Sequence, residues 1–411
     1  MKPSIIFVDD EPNILDALKR LLYPMRQTWD MTFCLGALQA LNVLAKKKHD
    51  ILVTDLLMPD MDGGKLLAEV HARYPDMARI VLSGHSGNKL ALKASRYAHQ
   101  FLAKPVQSEE LKRAIERVVT LRVVFVSPCV QKLITRIDTL PTLPDVHRRI
   151  MAELNAPEPS MKLVADLISQ DMGLSVSMLK LVNSAFFGLR TKVSSPTHAV
   201  NLLGLDVISG LVLTVQLFSK FDVTLHKGYD LDRLWKHCLS TGCMCKALAQ
   251  AEGLTQTEQD ELYVTGLLHD VGKLILLCSA QDIYETVLST CRKENIATWK
   301  AERDQLECTH AELGAYLLGL WGLSDKTITS VFHHHHLMGY SGDYPLHATI
   351  VHVANALDHE LNMENPNYDQ DRWNLDAIDH FGFADRLPAW KNYAEAALKE
   401  VCSDEHKNPD S

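Results

Sequence analysis

Apolar and polar positions follow two regimes along the chain, and the change falls near residue 122. In the first regime, short apolar runs are each followed by a helical pattern. "SIIFV" at 4–8 is such a run, and it gives way to Asp9-Asp10-Glu11-Pro12. Pro12 suits the first turn of a helix, where its missing N–H would be unpaired anyway, and Ile14, Leu15, Leu18 and Leu22 then recur on one face. A weak strand is expected near Thr32–Cys34 and a helix from about Ala37 to Lys48. Further on, "ILVT" ends in Asp55, "RIVL" in Ser83 and "QFLA" in Lys104-Pro105. Strands alternating with helices predict a doubly wound α/β unit, a parallel five-stranded sheet with helices on both faces. Chemistry in such sheets gathers at the carboxyl ends of strands. Asp9, Asp10, Asp55, Ser83 and Lys104 all fall there.

In the second regime the strand signal is gone and the spacing is helical throughout. A helix is expected from Glu109 through Arg122 or beyond, and the two prolines of "LPTLPDV" at 140–146 mark a boundary. Val146, Ile150, Met151 and Leu154 share one face, and Val164, Leu167 and Ile168 another. "GLSVSMLKLVNSAFFGL", "HAVNLLGLDVISGLVLTVQLF" and "PLHATIVHVANALDHEL" continue the pattern, so the region reads as all-α. "NMENPNYDQDRW" reads as a polar linker, 372–400 as one or two short terminal helices, and "SDEHKNPDS" as a disordered tail. The division predicted is 1–122 for the α/β domain, 123–140 for a linker helix, 141–362 for the helical domain and 363–411 for the terminal segment.

Composition narrows the function classes. A length of 411 residues allows two or three domains with proper cores. The net charge of −9 argues against a nucleic-acid binder, which needs a clustered basic face, and no DNA-binding helix-turn-helix is evident. Lys46-Lys47-Lys48 is read as a cationic helix end. Asp9, Asp10 and Glu11 stand where a signal peptide needs an apolar stretch. No apolar run reaches bilayer length; Leu211–Phe218 reads as a buried helix. Nine cysteines without a CxxC pair suggest reduced thiols in the cytoplasm, with Cys243 and Cys245 packing a core.

Three carboxylates at neighbouring strand ends make a hard-oxygen site suited to magnesium, which takes few carboxylates and keeps water and phosphate oxygens. A hydroxyl and an ammonium beside them suit the remaining phosphoryl oxygens. The motifs "FVDDE", "VTDLLMPDMDG", "VLSG" and "FLAKP", in that order, resemble the response-regulator receiver domain over about residues 1–122. The resemblance implies a flavodoxin-like fold in which Asp55 accepts a phosphoryl group from a histidine kinase or phosphotransfer protein. It implies magnesium on Asp9, Asp10 and Asp55, phosphoryl contacts from Ser83 and Lys104, an aromatic switch at Phe101 and a cis Lys104–Pro105 bond.

The helical region carries chemistry of its own. His237 stands in "LWKHCLSTG", His269-Asp270 in "LLHDVGKL", His310 in "CTHAELGA", and four consecutive histidines in "VFHHHHLMGY". A His-Asp pair inside an apolar helix is costly to bury unless both groups are paired or metal-bound. Imidazoles and one carboxylate from separate helices suit iron, manganese or zinc. Successive helical residues point about 100° apart, so at most one or two of His333–His336 can meet a site built by other helices.

The motifs "LPTLPDVHRRI", "ISQDMGLSVSMLKLVNSAFFG", "HAVNLLG", "GLLHDVGKL" and "HAELGAYLLGLWGL", followed by "HH", resemble the HDOD domain over roughly residues 136–340. HDOD is an output domain related to the HD phosphohydrolases. The resemblance sets His237, His269, Asp270, His310, His334 and His335 at positions of an HD-type metal site, with Lys273 a catalytic candidate if that site is active. It departs at the last acid, where this chain reads Val353-Ala354-Asn355, with Asp358 nearly one turn on. "GDYP" around Asp343 also breaks the "GYP" of cyclic-dinucleotide phosphodiesterases. Two divalent ions need more anion than one carboxylate supplies. The expectation is a vestigial pocket that binds one metal ion weakly or none.

Together these features predict a cytoplasmic two-component response regulator. Phosphorylation of Asp55 would modulate an HDOD output domain acting through contact with a protein partner. The alternative is a receiver-gated, metal-dependent phosphodiesterase or phosphohydrolase for cyclic dinucleotides. A nucleotide ligand held without hydrolysis and a homodimer stay open.

Overall fold

The computed structural model describes residues 2–83, 97–124, 158–183, 192–202, 231–340, 342–361 and 373–405, together with residues 130 and 153. Strands β1 (Ser4–Asp9), β2 (Asp30–Leu35), β3 (Ile51–Asp55), β4 (Ala78–Ser83) and β5 (Gln100–Ala103) form one sheet in the order β2-β1-β3-β4-β5. Every pairing is parallel, and helices α1 (Pro12–Leu21), α2 (Ala37–Leu44), α3 (Gly63–Arg73) and α4 (Ser108–Val124) follow β1, β2, β3 and β5. The two-residue period of a strand divides its side chains between the faces. Ile5, Phe7, Ile51, Val53 and Ile80 pack with Leu18 of α1 and Ile115 and Val118 of α4. Ile6, Val8, Leu52 and Val81 pack with Ala40 and Leu44 of α2 and Leu66 and Val70 of α3. Strand order reverses between β1 and β3, and a crevice opens at their carboxyl ends.

The rest of the described chain is helical: α5 (Met161–Ser169), α6 (Met172–Val182), α7 (Leu231–Ala251), α8 (Gln256–Leu268), α9 (Val271–Ser279), α10 (Gln281–Glu294), α11 (Thr298–Leu306), α12 (His310–Leu320), α13 (Asp325–His333), α14 (Pro345–Leu361), α15 (Leu375–His380) and α16 (Leu387–Glu405). Thr255 and Thr309 start α8 and α12 with capping boxes closed by Glu258 and Glu312. Helix α9 packs on α12, α12 on α13, α13 on α14, and α14 returns to α7, so five helices drawn from residues 231–361 enclose a common interior. No single helix among the described residues is long and apolar enough to cross a membrane.

The two domains touch through α4. Leu121 lies against Gly319, and Arg117 pairs with Asp325 at 3.1 Å. The contact therefore falls on the corner between α12 and α13.

Three expectations need correction. Helix α2 stops at Leu44, where the Lys46 N–H bonds back three residues to Val43, and the Lys47 side chain pairs with Asp30 at 2.6 Å. His269-Asp270 is not inside a helix. His269 caps the end of α8 and Asp270 the start of α9, where the backbone leaves helical geometry. The last helix is long and runs to Glu405, into the segment expected to be disordered. The linker helix beyond Val124, "LPTLPDV", the face of Val146–Leu154, the Leu211–Phe218 segment, the 362–372 linker and the final six residues lie outside the described residues.

Candidate functional site

Two clusters of polar side chains stand out, one in each domain. The first is at the carboxyl edge of the sheet. Asp9 ends β1 and Asp55 ends β3, both buried, with half-exposed Asp10 following Asp9. Lys104 follows β5 and precedes a cis Pro105. Its Nζ bridges the two buried acids, 2.7 Å from Asp9 Oδ2 and 2.8 Å from Asp55 Oδ1. The remaining oxygens accept backbone N–H groups, Asp9 Oδ1 from Glu11 and Asp55 Oδ2 from Leu57. Burial pushes the Asp55 carboxyl up, and the Lys104 ammonium only partly opposes this. Burial disfavours the Lys104 charge, but Asp55 and Asp9 outweigh it and hold that ammonium firmly protonated.

Three carboxylates with one ammonium leave net negative charge at a solvent-facing edge, which fits a hard divalent ion on Asp9, Asp10 and Asp55. Glycine is required at residue 63, where a Cβ would lie 2.1 Å from the Asp55 carbonyl oxygen. Ser83 closes β4 beside β3 in the expected register. Phe101 lies in β5 opposite Val81; the side chains of Ser83 and Phe101 lie outside the described residues.

The second cluster is built from imidazoles. His237 comes from α7, His269 and Asp270 from the α8–α9 junction, Lys273 from α9, His310 from the first residue of α12, and His334 and His335 from the end of α13. All six potential ligands are brought together. Asp270, His310, His334 and His335 form one group whose donor atoms lie within 4.8 Å of one another, and His237, His269 and Asp270 form another. Of the four consecutive histidines, His334 is sealed in, His335 is half-buried beside it, His333 turns toward Tyr340 and His336 is exposed. Gly272 makes the approach of α9 to α12 feasible, because a Cβ there would sit 1.9 Å from the His310 carbonyl oxygen.

Hydrogen bonding orients the rings. Nδ1 of His269 donates to Gly266 and Nδ1 of His334 to Val331, each at 2.6 Å. Nδ1 of His237 meets Asp358 and Nδ1 of His310 meets Glu302, also at 2.6 Å. Every one of these rings therefore turns Nε2 inward, the arrangement by which outer partners fix metal-binding histidines. Inward nitrogens approach closely: 3.0 Å between His237 and His269, and 2.7 Å between His310 and His335. Two nitrogens at adjacent positions on an octahedral ion would be about 3.0 Å apart, given metal–nitrogen bonds of about 2.1 Å. His334 Nε2 is buried without a hydrogen-bond partner. The residues fit a transition-metal ion.

Electrostatics point the same way. Burial holds His269 and His335 well below the ordinary imidazole value. His310 is raised; burial opposes its charge, and Glu302 overcomes that. Burial would raise Asp270, but the Lys273 ammonium, 2.6 Å from Oδ2, and the nearby imidazoles hold it well below the carboxylate range. Asn355 is buried with neither side-chain atom hydrogen-bonded, one turn before Asp358 and His359, which bond to and stack on His237. Sequence reasoning missed Glu302 and the role of Asp358. No local spacing marks either one, since each is defined by an imidazole on another helix.

Models of known families match both domains. The response regulator receiver domain matches residues 5–116 and the HDOD domain residues 140–337. An uncharacterized protein of Treponema pallidum (strain Nichols) is 29% identical over 266 residues, 64% of this chain and 51% of that protein. The two-component response regulator ORR21 of Oryza sativa subsp. indica is 36% identical over 119 residues, 28% of this chain and 17% of that protein. The chain thus spans about half or less of these relatives. The crystal structure of the MmoQ response regulator from Methylococcus capsulatus str. Bath aligns at 21% identity and a TM-score of 0.48, covering 62% of this chain and 98% of that one.

Proposed function

Since the chain belongs to the response regulators, with a receiver domain followed by an HDOD domain, we propose that Asp55 accepts a phosphoryl group and thereby changes how the helical domain meets a protein partner. The observation that carries this reading is the Lys104 ammonium bridging Asp9 and Asp55 at the switch point of the sheet. An Asp55 oxygen attacks phosphorus, the bond to the donor's imidazole nitrogen breaks, and that nitrogen keeps the electron pair. A histidine kinase or phosphotransfer protein is the donor. Asp9, Asp10 and Asp55 would hold magnesium, which supplies neutralisation of the phosphoryl charge. Lys104 holds Asp55 in place beforehand and is within reach of a phosphoryl oxygen afterwards.

The functional division follows 1–122, 123–140, 141–362 and 363–411, and the signal leaves the first of these through α4. The reading places the protein in the cytoplasm; the free cysteines among the described residues accord with a reducing compartment. Acyl phosphate with magnesium should label the chain, and Asp55→Asn should abolish labelling. Persistent labelling of that variant would overturn the assignment of the acceptor.

A second reading, a metal-dependent phosphodiesterase with Lys273 beside the reacting phosphate, draws support from the inward imidazole nitrogens. The neutral Asn355 speaks against it, since it leaves Asp270 as the single carboxylate among the inward groups. Turnover of a cyclic dinucleotide that is lost in His269→Ala would favour it.

A further inference from the structure

Helix α13 ends at His333, and the last carbonyls of a helix have no partner within it. His352, 2% exposed on α14, reaches in from the side to satisfy one of them. Its Nδ1 donates to the His334 carbonyl oxygen at 2.8 Å. On the other side of the same ring, Nε2 accepts the Asn374 N–H at 3.0 Å. A neutral imidazole carries one proton. The Asn374 N–H therefore keeps that proton on Nδ1, where the His334 carbonyl needs it.

Asn374 belongs to a segment that lies beyond the matched HDOD residues 140–337. Its Oδ1 accepts the Ala377 N–H and so starts α15. Trp373 donates to Glu360 of α14 at 3.0 Å, and the buried Trp390 of α16 donates to Glu252, just past α7, at 2.8 Å. The segment is thus fastened to the helical domain on both sides of Asn374.

We propose that His352 is a positioning residue through which the C-terminal helices α15 and α16 set the end of α13, and with it His334 and His335. The segment acts as a strap on the imidazole cluster. With α15 seated, Asn374 fixes the tautomer of His352, and that ring holds the backbone from which His334 and His335 project. With α15 lifted, the proton can sit on either nitrogen and the His334 carbonyl loses its dedicated donor. His334 has little slack to absorb this, since its Nδ1 is bonded to Val331 and its Nε2 lies 3.7 Å from Asp270 Oδ1. Helix α15 also touches the turn Leu337–Gly339 directly, so the experiment separates the two routes. The inference concerns the helical cluster alone. Labelling of Asp55 stays intact in every variant below, so the phosphoryl reading can fail separately.

The experiment is hydrogen exchange of the full chain, read over residues 331–340. Asn374→Ala removes the α15 cap but keeps the N–H, and should leave that stretch unchanged. Asn374→Pro removes the N–H as well, at a φ of −84° that proline nearly matches. It should speed exchange there about tenfold, the scale of one buried hydrogen bond. His352→Gln places an amide oxygen near Nε2 but no donor near Nδ1, so it should match the proline variant. His352→Asn keeps a donor near Nδ1. Its exchange should stay within about twofold of wild type, and adding Asn374→Pro should change nothing further. Equal exchange in Asn374→Pro and Asn374→Ala would overturn the proposal. So would an undiminished proline effect in the His352→Asn chain, which would assign the coupling to the Leu337–Gly339 contact. Should Asn374→Pro unfold the segment, the two His352 variants decide, because both keep it. Equal exchange in His352→Gln and His352→Asn would refute the role of the ring.

Discussion

The sheet-edge cluster and the helical cluster gather charge in opposite ways. At the sheet edge, three carboxylates stand at the ends of two neighbouring strands, β1 and β3, and the Lys104 ammonium answers them. In the helical domain, imidazoles from four separate helical segments surround one carboxylate, sealed from solvent except at His335. Oxygen ligands open to water suit an ion that exchanges quickly and shares its coordination with a phosphoryl group. Buried nitrogen ligands suit a softer ion that stays. The comparison teaches that the two domains, though joined at α4, present different donor sets, carboxylate oxygens in one and imidazole nitrogens in the other. Each still depends on a glycine where two backbones nearly touch, Gly63 behind Asp55 and Gly272 behind His310.

The largest effect is expected where that close approach is blocked. Gly272→Ala would drive a methyl group into the His310 carbonyl, and α9 and α12 must part. A loss of roughly 3 kcal/mol or more is expected for the helical domain, read by denaturant unfolding, while acyl phosphate labelling of Asp55 continues. An unchanged unfolding midpoint would mean that the two helices are not rigidly packed, and the comparison would lose its helical half.

Acid should distinguish the helical domain next. His347, buried on α14 with the Lys326 ammonium nearby, is held down to about 4 from an ordinary value of 6.5. Between those values the unfolded chain binds a proton that the folded chain refuses. Stability is therefore complete above about pH 6.5 and falls as the pH drops toward 4. From pH 7 to pH 5 the loss from this one residue is about 2 kcal/mol. His347→Leu should flatten that part of the pH profile of unfolding; an unaltered slope would show that the acid sensitivity comes from elsewhere.

The smallest effect concerns the joint between the domains. Asp325 is mostly exposed, so Arg117→Ala should cost under about 1 kcal/mol of stability. It should nonetheless raise hydrogen exchange over 319–325 and reduce the change that phosphorylation produces there. If phosphorylation still alters protection at that corner as in the wild-type chain, the pair is not part of the route between the two clusters.

Much of the first domain was legible in the sequence, for a geometric reason. A parallel sheet delivers the end of every strand to the same edge, so Asp9 after "SIIFV", Asp55 after "ILVT" and Lys104 after "QFLA" had to meet once the strands were recognised. The histidines of the helical domain were legible as residues, and helical spacing limited how many of His333–His336 turn inward. What only the tertiary structure decided was their partners. Glu302 reaches His310 from another helix, Asp358 reaches His237 across 121 positions, and Asp270 divides the imidazoles into two groups with Lys273 on one side. The break between α8 and α9 at His269-Asp270 was likewise hidden inside a continuous apolar pattern. Periodicity reports which face of a helix is buried; it carries no record of which distant helix that face will meet, and the charges of this pocket are settled by that meeting.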